Sequence, residues 1–342
     1  MSAALSTNNI KRGRMDFAFE VKTIINPETK EVEYYEGIKP LNKPTPTARG
    51  VYGGNLCGQA LIVALESVPA NSGLVPHSLH SYFVKAGDDK IPCQYKVEKL
   101  SDGRNFANRL IRVFQNDELK YIIMVSLTKK NSMDKARKDY HQNNDTVKKP
   151  PLPIEFQKEV DSTFYKYSLN DLPTQFSYDT SGVLEYKFPP NYIDPKFNEN
   201  EHLLQPGDRS LSFWIRVNDN TPGKSSTAAK FAGFGVLSDS VYLSSLGRIL
   251  HLPNYNNGLP LGALGTEEVH FFSLSLDHSI YFHDEYFEPK DWIYVTFSAP
   301  KLSNNRALLT AHYYDQTGRL FATIVQEGLV FFRNGSEYKA KL

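Results

Sequence analysis

The sequence predicts an α+β fold made of two copies of one unit, each an antiparallel sheet wrapped around a central helix. Three observations carry this. A helix-length run from Leu56 through Val68 is apolar on nearly all sides, so it must be buried. A meander of alternating strands follows it. The second half of the chain then repeats the first.

Composition agrees with a sheet-rich globular protein. The chain has 342 residues, 40% of them apolar and 23% charged, with a net charge of +1, which argues against a nucleic-acid or polyanion binder. The 21 Phe and 20 Tyr suit pleated, half-buried surfaces. Two cysteines, Cys57 and Cys93, cannot build a disulfide framework or a four-thiolate metal site, and they point to a reducing intracellular compartment. No apolar run approaches the roughly 18–20 residues that span a bilayer, and Lys11, Arg12 and Arg14 are followed by no apolar segment of a secretory signal. The terminal Ala340-Lys341-Leu342 fits the small-basic-Leu pattern of a peroxisomal address.

In chain order, Asp16–Tyr35 reads as two strands about the turn Asn26-Pro27-Glu28-Thr29. A loop from Lys39 to Gly50 leads through Gly53-Gly54-Asn55 into the buried helix. Strands are expected at His77–Lys85, Cys93–Leu100, Asn105–Phe114 and Leu119–Leu127, separated by polar turn signals. From Lys129 to Pro153 the pattern collapses into Lys, Asn, Asp and Pro and reads as a linker. Beyond it, Tyr95–Ser126 can be laid on Val295–Gln326 at a constant offset of 200, which places Val97 on Phe297, Ala107 on Ala307 and Val125 on Val325. Ala228–Leu246 is the counterpart of the buried helix. The expected domains are 1–130 and 159–342, joined by a linker at 131–158.

Several polar groups intrude on these apolar elements. Asp239 interrupts the second buried helix, and Gln326 interrupts a run suited to a central strand; such groups need partners. In Ser273–His283, hydroxyl, carboxylate and imidazole groups alternate with apolar residues. On a regular strand Ser275 and His278 point to opposite faces, which disfavours a serine–histidine dyad, whereas Asp277 would share the face of Ser275. A hydroxyl with carboxylates suits deprotonation of water better than covalent catalysis. Gly53-Gly54 opens the first helix, where free N–H groups favour an anion or an oxyanion, but the spacing matches no nucleotide-binding loop. No His or Cys spacing suggests a metal site, and no cofactor is expected.

Gly53-Gly54 with Gly58-Gln59-Ala60-Leu61, His77-Ser-Leu-His-Ser-Tyr-Phe83, Asp102-Gly-Arg-Asn-Phe106, Ser275-Leu-Asp-His278 and Val325-Gln-Glu-Gly-Leu329 occur in this order along both halves. Together they resemble the acyl-CoA thioesterase II family, which includes peroxisomal acyl-CoA thioesterases. The resemblance implies a tandem (double) hot-dog fold, with hydrolysis of fatty acyl-CoA to free fatty acid and CoA. It also implies a catalytic Asp, Ser/Thr and Gln, which fall by motif on Asp239, Ser275 and Gln326. The same motifs offer Gly53, Gly54, His80 and Arg104 as candidate substrate contacts. Two features depart from the family pattern: Asn55 stands where Gln is usual, and the stretch containing Leu252–Pro260 lengthens the chain between Asp239 and Ser275.

The expected partners are therefore fatty acyl-CoA and, through Ala340-Lys341-Leu342, the peroxisomal import receptor in the peroxisome matrix, with room for a homo-oligomer. Two alternatives share the fold. A hot-dog enoyl-CoA hydratase would need an Asp-x-Asn-Pro-x-His motif, and here the Asn-Pro is missing and Asp277 to His283 is one residue too long. A non-catalytic acyl-CoA-binding protein is the other.

Overall fold

The computed structural model describes residues 18–129, 133–143, 149–176, 183–219, 222–252 and 269–334. The terminal Ala340-Lys341-Leu342 and most of the Leu252–Pro260 stretch lie outside them.

The first half runs β1 (Val21–Ile25), β2 (Val32–Gly37), α1 (Gly53–Glu66), β3 (Leu74–Phe83), β4 (Gln94–Asp102), β5 (Phe106–Gln115) and β6 (Glu118–Lys129). Within the stretch read as a linker the chain forms a helix, α2 (Met133–Gln142), none of whose residues is buried. It is held by ion pairs one turn apart, Lys135 with Asp139 and Arg137 with Asp134, a local source of helicity that an apolar-period reading passes over. The second half begins with the short helix α3 (Thr163–Lys166), then β7 (Gln175–Phe176), β8 (Leu184–Lys187), α4 (Pro190–Ile193) and β9 (Ser210–Val217). It continues through α5 (Thr227–Leu237), α6 (Leu246–Ile249), β10 (Val269–Ser275), β11 (Asp277–Phe282), β12 (Ile293–Ser303), β13 (Arg306–Tyr314) and β14 (Leu320–Asn334).

The strands make one antiparallel sheet in the order β1-β2-β4-β5-β6-β3-β11-β14-β13-β12-β9-β8-β7, with β10 also on β14. The halves meet where β3 pairs with β11, so the sheet is continuous across the molecule and curls around α1 and α5. This is the tandem helix-in-sheet architecture expected from the sequence. Among the described residues no helix is long and apolar enough to cross a membrane.

The two helices can approach closely because their contact is built from small residues. A Cβ on Gly54 would lie 2.4 Å from the Val236 carbonyl oxygen, and one on Gly58 2.8 Å from that of Ala232. Tyr52, just before α1, donates its hydroxyl to the Val236 carbonyl at 3.0 Å. The N-terminus of α1 is thereby set against the C-terminal end of α5. That junction positions everything in the site below.

The internal repeat holds for β4 and β5 but slips in the last strand. Tyr95 faces Val113, and Val295 faces Tyr313, at the expected offset of 200. Arg109, however, pairs with Val125, while Leu309 pairs with Gln326. The equivalent of Val125 is therefore Gln326, not Val325. The β5–β6 hairpin turns on Asn116-Asp117, both left-handed, with four residues between the paired Phe114 and Leu119, whereas five, Asp315–Arg319, separate the paired Tyr314 and Leu320. In a strand one residue is decisive, because it exchanges the inner and outer faces.

The second expected helix is shorter than Ala228–Leu246. α5 ends at Leu237 with Ser238 as its C-cap, and Asp239 lies in the turn beyond it. The chain reverses there through Val241, whose φ of 57° is left-handed, and continues into α6. A β-branched residue in that conformation is strained.

Candidate active site

Asp239, Ser275 and Gln326 come from a post-helix turn, the end of β10 and the middle of β14, and they meet. Gln326 Nε2 donates to Asp239 Oδ1 at 2.6 Å and to Ser275 Oγ at 2.7 Å. Ser275 Oγ donates to Asp239 Oδ1 at 3.4 Å. The orientation of the Gln326 amide follows from charge, since a carboxylate needs a donor opposite it. The amide oxygen Oε1 is buried and has no hydrogen-bond partner among the described residues.

Asp239 sits at the N-terminus of α1, where the backbone N–H of Gly54 helps to lower its pKa. The helix end contributes a favourable field for the anion. A Cβ at position 53 would lie 2.5 Å from Asp239 Oδ2, so Gly53 is what lets the carboxylate reach this place. Burial raises its pKa to about 6 from 3.8, and the bonds from Gln326, Ser275 and Gly54 hold it from rising further. Cys57 on α1, Tyr121 on β6 and Tyr313 on β13 all feel the charge of Asp239, and burial raises the pKa of each. These three are neutral at physiological pH, and no salt bridge reaches Asp239 among the described residues.

A β-bulge places Ser275. Ser275 faces Gly328 across the ladder and Ser279 faces Val325, so Leu276 and Asp277 together occupy the space opposite Glu327. The bulge overturns the alternation expected from sequence. Ser275 and His278 both point to the inner side of the sheet, and Asp277 does not share their face. Asp277 instead accepts the Glu327 backbone N–H at 2.8 Å, which closes the bulge. His278 is fully buried, bonds Ser238 Oγ through Nε2 at 2.9 Å, and is held neutral, its pKa pushed down by burial to about 3. It is a core residue and makes no bond to Ser275. The Asp277–His283 pair that a hydratase would require does not form either, since His283 bonds Thr323 Oγ1 at 2.8 Å.

The remaining sequence candidates divide. Gly53 and Gly54 lie at the site, where a Cβ on Gly53 would meet Asp239 Oδ2 and one on Gly54 the Val236 carbonyl oxygen. His80 is on the outer face of β3, where it bonds Ser279 Oγ at 3.1 Å and meets the Tyr281 ring edge-on; it is turned away from Asp239. Arg104 is exposed in the β4–β5 turn, and among the described residues no hydrogen bond or ion pair joins it to the three. The first half carries a blank version of the site. Val68 follows the Ser67 helix cap as Asp239 follows Ser238, Pro76 faces Leu127 as Ser275 faces Gly328, and Val125 stands for Gln326. Among the described residues the Asp, Ser and Gln constellation occurs once.

Comparison with known proteins bears on this geometry. Residues 41–128 match the family model described as the acyl-CoA thioesterase N-terminal domain, and residues 178–330 match the C-terminal domain. The peroxisomal acyl-coenzyme A thioester hydrolase 1 of Saccharomyces cerevisiae is 30% identical over 332 residues, covering 86% of this chain and 89% of its own. The chain belongs to the acyl-CoA thioesterase family. Human acyl-coenzyme A thioesterase 8 is 27% identical across 91% of this chain and 88% of its own. Among solved structures, the acyl-CoA thioesterase II TesB2 of Mycobacterium marinum superposes with a TM-score of 0.63 at 22% identity, covering 95% of this chain and 99% of its own. A hot dog fold protein from Alicyclobacillus acidocaldarius gives 0.57 at 12% identity, over 93% and 97%. These likenesses establish the tandem hot-dog fold of this family member.

Proposed function

We propose that the chain hydrolyses fatty acyl-CoA thioesters to free fatty acid and CoA, with Asp239 as the base that activates water. The observation that carries this reading is the convergence of Gln326 and Ser275 on one oxygen of a half-buried carboxylate. Oδ1 is held by both side chains, which leaves Oδ2, the oxygen beside Gly53, to take a proton from water as it attacks the thioester carbonyl. A half-buried base with a raised pKa is better matched to proton abstraction near neutral pH than an ordinary carboxylate. Ser275 is bound to Gln326 and Asp239, and among the described residues no imidazole bonds it, so it orients and does not attack. A thiol-release assay with palmitoyl-CoA is expected to show steady turnover without an acyl-enzyme burst. A folded protein that binds palmitoyl-CoA and releases no CoA would instead be a binding protein.

The location proposed is the peroxisome matrix, reached through recognition of Ala340-Lys341-Leu342 by the import receptor. The yeast relative is named as peroxisomal, which supports the reading. A reporter carrying the last dozen residues is expected to enter peroxisomes, and its retention in the cytosol removes the assignment.

A further inference from the structure

The turn bearing Asp239 is attached to a part of the molecule that has no counterpart in the first half. β1 and β2 are joined by a short turn, but their equivalents β8 and β9 are separated by the excursion 188–209, which contains α4 and three 3-10 turns. Together with Tyr186 of β8, it holds the chain after Asp239 at successive points. Tyr186 OH meets Ser240 Oγ at 2.6 Å, and Tyr192 OH meets Ser245 Oγ at 2.6 Å. Ser245 in turn donates to the carbonyl of the left-handed Val241 through both Oγ and N–H, at 2.7 and 3.0 Å.

The last point is an ion pair with both members only 1% exposed. Arg248 grips Glu201 with a bidentate fork, through Nη1 to Oε1 and through Nη2 to Oε2 at 2.9 Å. It also donates to the carbonyls of Tyr192 at 2.9 Å and Asn191 at 2.8 Å. Glu201 is completed by Asn198 Nδ2 at 3.0 Å and His251 Nε2 at 2.7 Å. Every arm of the fork is satisfied, so the pair fixes one geometry. Two apolar side chains could fill the same space without these directional bonds, and in some proteins a buried ion pair adds definition more than stability.

We infer that Glu201 and Arg248 are positioning residues for Asp239: they hold the Ser240–Ser245 turn in its strained left-handed form, and through it keep the carboxylate on Gln326 and Ser275. The inference rests on the assignment of Asp239 as the base. Without the pair, the turn is free to relax at Val241 and the carboxylate to move toward water.

The test is the double substitution Glu201→Met/Arg248→Met, which removes both charges and strands neither, with Tyr192→Phe as a milder second variant that removes one hydroxyl. Each is measured for thermal midpoint, for kcat and KM with palmitoyl-CoA, and for the acid limb of the pH profile, beside Asp239→Asn. The expected result is a folded double variant with kcat reduced at least tenfold, KM within about twofold, and the acid limb moved down toward an ordinary carboxylate value. Tyr192→Phe is expected to move in the same direction by a smaller step. A lowered thermal midpoint with wild-type kcat and an unmoved limb, in the double variant or in Tyr192→Phe should the former not fold, overturns the inference. In that case an inactive Asp239→Asn leaves the base assignment standing, whereas an active one removes both.

Discussion

Asp239→Asn is expected to lower kcat by about 10²–10⁴-fold, the usual worth of a general base, and to make the protein more stable. The two effects share one cause. Burial raises the carboxyl pKa to about 6, so the native state holds its proton more tightly than the unfolded chain does. The sign follows: the ionised group lowers stability increasingly from about pH 4 to 6, and the full penalty applies above that, on the order of 2–3 kcal/mol at most. The thermal midpoint of the variant should therefore exceed that of the wild type at pH 8 and converge with it below about pH 4. An inactive variant that is also less stable at pH 8 would mean that Asp239 holds the fold together, not that it is held there against its own solvation.

Gln326→Val is expected to remain folded and to lose about 10²–10³-fold in kcat, the scale for one well-placed donor. The first half supplies the precedent for folding, because Val125 occupies the equivalent inner position of β6 and is fully buried. The substitution also removes a buried amide oxygen that has no partner. Its cost falls on Asp239 and Ser275, each of which loses its shortest bond. Because Gln326 is the largest of the influences holding the Asp239 pKa down, the acid limb should move up in this variant. Circular dichroism with a pH series of kcat/KM checks both halves of the expectation. An unmoved limb would show that the Gln326 amide does not bond the carboxylate in solution.

The parts of this protein that were legible in its sequence are those governed by periodicity. An all-round apolar helix, alternating strands and a repeat at an offset of 200 define the architecture, and polar intrusions into apolar elements mark Asp239, Ser275 and Gln326. Local irregularities were not legible. The extra residue at Leu276-Asp277 reverses the face of everything before it, which is why Ser275 and His278 share a side that strict alternation denies them. The longer turn at Asp315–Arg319 likewise moves Gln326 onto the position of Val125. The role of Gly54 lies in the close approach of the two helices, and no side chain announces it. Arg248 did leave a signal, as a charge inside Leu246-Gly-Arg-Ile-Leu250, the same kind of intrusion that marked Asp239. Its partner Glu201 stands 47 positions away, in an excursion that no repeat predicts.

The central claim, that a half-buried Asp239 with a raised pKa is the base, is tested most directly by kcat/KM against pH. This parameter reports the free enzyme, the state whose geometry is described above. A slowly turned-over acyl-CoA should be used so that chemistry limits the rate. The predicted profile is flat above about pH 7 and falls tenfold per unit below about pH 6, and the residual activity of Asp239→Asn lacks that limb. A limb at the ordinary carboxylate value near 4, or one that persists unchanged in Asp239→Asn, would contradict the account.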